Sequence, residues 1–156
     1  MKGIIFTEFL ELVEDKYGLE MVDALIQHSE LQSKGIYTSI GTYQFSEMLS
    51  LLQNLSEGTG ISIDRLLETF AEHFFGVIER SYPEMLNAYN DPIEMLASIE
   101  NHIHVEVKKI YKDAELPSFE VLEKTSDSLI MLYKSSRSMH HFGLGLMNKT
   151  FAHFNS

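Results

Sequence analysis

Apolar residues recur at helical spacing from the start of the chain. Ile5, Phe9, Leu12 and Val13 fall on one face, and Gly18 closes the segment. A second helical stretch spans about 19–27. Residues 32–45, QSKGIYTSIGTYQF, are rich in Gly, Ser, Thr and Tyr and carry no helical period, so they predict a loop. Ser46 stands where an N-cap would open a helix running to about residue 56, with EGTG as its terminator. Ser62 is the next such cap, for a helix over 63–80 that Tyr82-Pro83 breaks. Asp91-Pro92 predicts a further helix over about 92–110, because a capping carboxylate followed by proline at the first helical position favours a start. From Leu116 the period changes from helical to alternating. LPSFEVLE and SLIMLYKS, joined by KTSD, predict an antiparallel hairpin, and a last helix follows over roughly 137–153. Helices, then strands, then a helix describe an α+β fold: an N-terminal helical lobe, a long helix, a C-terminal hairpin and a final helix.

The helix over 92–110 carries two histidines in ENHIHVEV, residues 100–107. At roughly 100° per residue, Leu96, Ile99, Ile103, Val107 and Ile110 form the buried stripe. His104 lies at the edge of that stripe, beside Ile93 and Ala97. His102 lies on the other side with Glu106 and Lys109, towards water. Two histidines at i, i+2 diverge and cannot chelate one ion from a regular helix. His140 and His141 are adjacent and diverge as well, so no hydrolytic zinc signature is present.

Composition narrows the classes. The 156 residues suffice for one domain with a core, of which about 1–62 would form the helical lobe and about 63–156 the rest. A net charge of -11 repels phosphate backbones and anionic lipid, which argues against nucleic-acid and membrane partners. The absence of cysteine removes disulfides, thiolate metal sites and thiol catalysis. The start, MKGIIFTEFLELVEDKYG, has acidic residues inside its apolar period and fits neither a signal peptide nor a membrane span, so a cytoplasmic location is expected.

A second set of donors lies in YKSSR, residues 133–137. If the extended conformation continues that far, Tyr133, Ser135 and Arg137 share one face and offer a phenol, a hydroxyl and a guanidinium fork to an anion. Two carboxylates would suit them. Together, the histidine and this downstream triplet resemble the haem nitric oxide/oxygen binding (H-NOX) family, the sensor fold shared with soluble guanylate cyclase. MKGIIF, HIHVEVKKIY, AELPSF and YKSSR with GLGLM carry the resemblance over essentially the whole chain.

The resemblance implies haem b as the cofactor, His104 as the axial iron ligand, and Tyr133, Ser135 and Arg137 as holders of the propionates. It implies that Pro117 presses on and bends the porphyrin and that Ile5 and Leu146 line it. Where oxygen-binding members place a tyrosine donor in the gas pocket, this chain has Phe142, and the supporting polar positions hold Phe9 and Phe74. A charge-assisted hydrogen bond to O₂ contributes about 1.5–3 kcal/mol. A pocket without one is expected to take NO and CO and discriminate against O₂. Binding of NO would weaken the bond to His104 and shift the helical lobe relative to the sheet lobe. The resemblance implies a sensor rather than an enzyme, signalling in trans to a histidine kinase or to a cyclic-di-GMP enzyme (a diguanylate cyclase or phosphodiesterase). Family members continue past FAHFNS with further strands, which this chain is expected to lack. Two other classes are a cofactor-free helical docking or regulatory module, in which His104 merely packs, and a hydrolase using His104 or His140 with a nearby Glu, for which no paired-carboxylate motif is present.

Overall fold

The computed structural model describes residues 1–155. It divides into two compact units, residues 1–70 and 71–156, and the division falls inside one helix. The fold class is α+β, mostly helical, with one two-stranded antiparallel sheet and a C-terminal helix.

The first unit contains α1 (Gly3–Tyr17), α2 (Leu19–His28), α3 (Phe45–Thr59) and the first turns of α4 (Ile63–Ser81). Phe6, Phe9 and Val13 from α1 are buried with Met48, Leu51 and Leu52 from α3. The loop before α3 folds back on α1. The N–H groups of Gly3 and Ile4 donate to the carbonyls of Gly41 and Ser39 at 2.8 and 3.0 Å, which satisfies donors that a helix start leaves open. Glycine is required at position 3, because a Cβ there would lie 1.6 Å from the Thr38 carbonyl oxygen. α3 ends at Gly60, whose left-handed backbone (φ 74°) lets its N–H reach the Ser56 carbonyl. The expected Ser46 cap is not used. α3 opens two residues earlier, after Gln44, and the Ser46 hydroxyl donates to the Gln44 side chain at 3.4 Å. Ser62 does cap α4, accepting from the Arg65 N–H at 3.3 Å.

The second unit holds the remainder of α4, the short α5 (Pro83–Asn87), α6 (Pro92–Ala97), α7 (His104–Ile110), β1 (Ser118–Lys124), β2 (Leu129–Lys134) and α8 (His140–Asn155). Asp91 caps α6 through the Ile93 N–H at 3.2 Å. A small core joins Phe75, Leu86 and Met95, with Ile78, Tyr89, Ile103, Leu146 and Phe154 packed against it. In the hairpin Phe119 faces Tyr133 and Val121 faces Met131, and the register shifts between Val121 and Glu123.

The expected continuous helix over 92–110 is interrupted. Residues Ile99–Ile103 form a π-turn between α6 and α7. The Ser98 carbonyl accepts from both His102 and Ile103, at 2.9 and 3.3 Å, and the His104 N–H reaches back to Ile99. A π-turn holds an extra residue and so changes the angular position of everything after it. The apolar stripe accordingly fails beyond it, and Ile110 is 48% exposed.

Candidate functional site

His104 opens α7, directly after the π-turn. Its side chain is 16% exposed, and its Nδ1 lies 3.3 Å from Oε1 of Glu100, one turn back. Burial pushes its pKa below the ordinary histidine value, more strongly than Glu100 pulls it up. The imidazole is therefore neutral at pH 7, the form a metal ligand needs. The same Glu100 oxygen accepts from the Phe119 backbone N–H at 2.8 Å, at the start of β1. The Phe119 ring stands 6.0 Å from the His104 ring and 5.3 Å from the Tyr133 ring, so histidine, phenylalanine and tyrosine form one continuous aromatic surface.

His102 is not turned to water, as the uniform wheel expects. It is half-buried, and its Nδ1 shares a hydrogen bond with the Tyr89 hydroxyl. The π-turn accounts for the difference, because a constant angle per residue does not hold across it.

β2 ends at Lys134, and residues 136–138 bend, so the donors Tyr133, Ser135 and Arg137 are not presented by a continuing strand. Ser135 instead turns the chain, its hydroxyl accepting from the Arg137 N–H at 3.0 Å. The Arg137 side chain is 16% exposed. It donates to the Glu115 carbonyl at 2.9 Å and approaches the Glu115 carboxylate at 3.4 Å. That carboxylate belongs to a side chain 82% exposed to solvent. A sheltered cation thus holds an anion that another can replace at little loss. Pro117 is half-buried just ahead of β1, and Leu146 sits on α8 against the core of its unit.

Of the aromatic residues expected around a gas ligand, Phe74 and Phe142 meet edge to face, with ring centroids 5.9 Å apart. Phe9 is buried in the first unit, edge to face with Phe70 at 5.4 Å. Ile5 lies half-buried on α1. Two residues at the centre of this geometry were not singled out by sequence. Glu100 had a usable signal, its i, i+4 spacing to His104. Phe119 had only its inward place in the strand alternation.

The family model for haem-NO-binding domains matches residues 2–156. The chain belongs to the haem-NO-binding (H-NOX) family. An H-NOX protein from K. algicida, solved in the Fe(II) unliganded state, is 77% identical and superposes with a TM-score of 0.97 over 100% of this chain and 84% of its own. The H-NOX protein from Shewanella woodyi, solved in the Fe(II)CO state with IWP-051 bound, is 36% identical with a TM-score of 0.84, over 100% of this chain and 82% of its own. Soluble guanylate cyclase 89Db from Drosophila melanogaster is 24% identical over 99% of this chain, which spans 23% of that protein's length.

Family membership makes haem the cofactor and sensing, rather than catalysis, the family's role. The donor chemistry of the H-NOX chain fits that group. A neutral, sheltered imidazole suits ferrous iron, and the sheltered Arg137 side chain suits a carboxylate. No helix among the described residues is long and apolar enough to cross a membrane.

Proposed function

We propose that this chain is a haem b gas sensor that takes NO and CO at ferrous iron and turns O₂ away. The single observation behind this reading is His104. Its ring is sheltered, with Nδ1 3.3 Å from the Glu100 carboxylate, in a chain of the haem-NO-binding family. His104 is assigned as the axial ligand, with Tyr133, Ser135 and Arg137 as holders of the propionates. Pro117, Ile5 and Leu146 are assigned to packing against the macrocycle, and Phe9, Phe74 and Phe142 to the gas-binding side.

Haem iron supplies the coordination position for a diatomic gas, and the chain decides which gas gains from it. Phenylalanine has no hydrogen to donate. Withholding a charge-assisted hydrogen bond of about 1.5–3 kcal/mol lowers affinity for O₂ roughly ten- to a hundredfold relative to a site with a donor, and leaves less polar ligands nearly unaffected. The S. woodyi relative was solved with CO on its ferrous iron, which supports the same ligand here. Output passes in trans to a sensor histidine kinase or to a diguanylate cyclase or phosphodiesterase. A chain of net charge -11 suits a partner with a basic docking face and neither nucleic acid nor an anionic membrane.

Optical spectra of protein expressed with full haem supply test the reading. A Soret band that shifts with NO and with CO, and not on admitting air to the ferrous protein, is the expected result. A colourless protein supports instead the cofactor-free docking module. Phe142→Tyr adds a donor hydroxyl, and the ferrous variant is expected to take up O₂ weakly, seen as a new visible spectrum in air.

A further inference from the structure

We propose that Glu100 is the positioning residue of the axial histidine. Its carboxylate takes the Nδ1–H of His104, leaves Nε2 as the nitrogen presented to iron, and ties the histidine to the start of β1. The inference rests on the assignment of His104 as the ligand and goes beyond it.

Imidazole has two ring nitrogens, and a neutral ring carries a proton on one of them. A carboxylate accepts and does not donate. The nitrogen 3.3 Å from Glu100 Oε1 is Nδ1, so it carries the proton and Nε2 keeps the lone pair. A solvated i, i+4 pair would do this weakly and with no fixed direction. Glu100 differs because the same oxygen is bonded at 2.8 Å to the Phe119 backbone N–H. That N–H is set in place by the strand pair Phe119–Tyr133, so the acceptor is anchored to the sheet. The imidazole inherits the anchor. Histidine ligands whose other N–H is held by a carboxylate bind metal more strongly, because the ring is oriented and its basicity raised.

The π-turn supplies the geometry. It places Glu100 inside the irregular segment and His104 at the first regular residue after it. Phe119 then meets His104 twice, through its N–H by way of Glu100 and through its ring at 6.0 Å. Glu100 therefore links the histidine to a strand that begins one residue after Pro117.

The test is resonance Raman spectroscopy of the ferrous, haem-loaded full chain, reading the iron–histidine stretch, with haem transfer to apomyoglobin as a second measurement. Wild type, Glu100→Gln and Glu100→Ala are compared, with Glu106→Gln as a control on the exposed Glu106–Lys109 pair of the same helix. The stretch is expected to fall from wild type to Gln to Ala, with haem loss about ten- to a hundredfold faster in Ala and the control unchanged. An unchanged stretch in haem-bound Gln and Ala variants overturns the role of Glu100 while leaving His104 as ligand. Lower haem occupancy with an unshifted stretch overturns it equally, since a merely structural residue would act that way. If the Ala variant does not hold haem, the Gln variant decides on frequency alone. A wild-type protein with no iron–histidine band, or one whose band survives His104→Gly, overturns the underlying assignment instead.

Discussion

Each unit builds around one sheltered charged side chain, and the two do it to opposite ends. In the first unit the charge is Glu47, 3% exposed on α3. Its Oε1 accepts from the Ser33 hydroxyl at 2.6 Å, the Tyr37 hydroxyl at 2.9 Å and the Ser33 N–H at 3.4 Å, and the Tyr37 ring stacks on Phe6 at 4.4 Å. These bonds fasten the loop before α3 to the helix. In the second unit the charge is Arg137, sheltered to 16%, and its carboxylate partner sits on a side chain 82% in solvent. A buried charge with fixed internal partners is structural. A sheltered charge whose carboxylate partner is exposed is available to another anion. The two clusters are therefore expected to part company, one governing stability and the other governing what is bound.

The largest expected effect is at His104, the proposed iron ligand. His104→Gly removes the imidazole and is expected to abolish the Soret band of purified protein, with recovery on adding free imidazole. The haem-free variant is expected to lose about 1–2 kcal/mol of stability relative to haem-free wild type, because glycine weakens α7 and a sheltered ring is removed. His102→Ala should leave the spectrum nearly unchanged, since that ring is engaged with Tyr89. Loss of colour in His102→Ala, with colour retained in His104→Gly, would reverse the two assignments.

Next in size is Glu47→Leu. It leaves the half-buried Ser33 and Tyr37 hydroxyls without their acceptor, and is expected to destabilise the haem-free protein by about 1–3 kcal/mol in urea titration. Below the new midpoint, haem should still bind with the wild-type iron–histidine stretch. A variant of wild-type stability would mean that the cluster is less structural than its burial implies.

These two sites also mark what a sequence discloses. Helix starts at Asp91 and Ser62, the stop at Gly60 and the hairpin were legible because each is set by neighbours within a few residues. The Glu47 cluster was not, because its partners lie 10 and 14 residues away and meet only after the loop closes on α3. The π-turn was not, because no residue pattern marks it and a constant angle per residue assumes it away. The error fell on His102 and Ile110, both at or beyond the start of the turn. His104 is sheltered as the wheel predicts, because it lies close to the apolar stripe.

Arg137→Ala is a smaller change that tests the other half of the comparison. It removes one sheltered cation whose bond to the exposed Glu115 carboxylate contributes little, so haem-free stability should move by less than about 1 kcal/mol. Haem transfer to apomyoglobin should nonetheless quicken by about tenfold or more, the measure of a lost charge-assisted bond to a propionate. Equal rates in wild type and variant would show that Arg137 belongs with Glu115 and not with a ligand.

The smallest effect is a pH dependence confined to the first unit. Burial, reinforced by the bonded Glu47 carboxylate, pushes the Tyr37 phenol up from 10.0 to about 12. Between these values the unfolded chain has released the phenolic proton and the folded chain retains it. Folding is then linked to proton binding, and stability falls as pH rises through that window. Below pH 10 both states hold the proton, and the contribution is fully present. Urea midpoints of the haem-free protein from pH 9 to 12 should therefore decline more steeply for wild type than for Tyr37→Phe, which has no phenol to titrate. The variant starts lower, having lost a bond to Glu47, so the slopes rather than the midpoints carry the comparison. Equal slopes in wild type and Tyr37→Phe would show that the Glu47 cluster is less closed on itself than its burial implies.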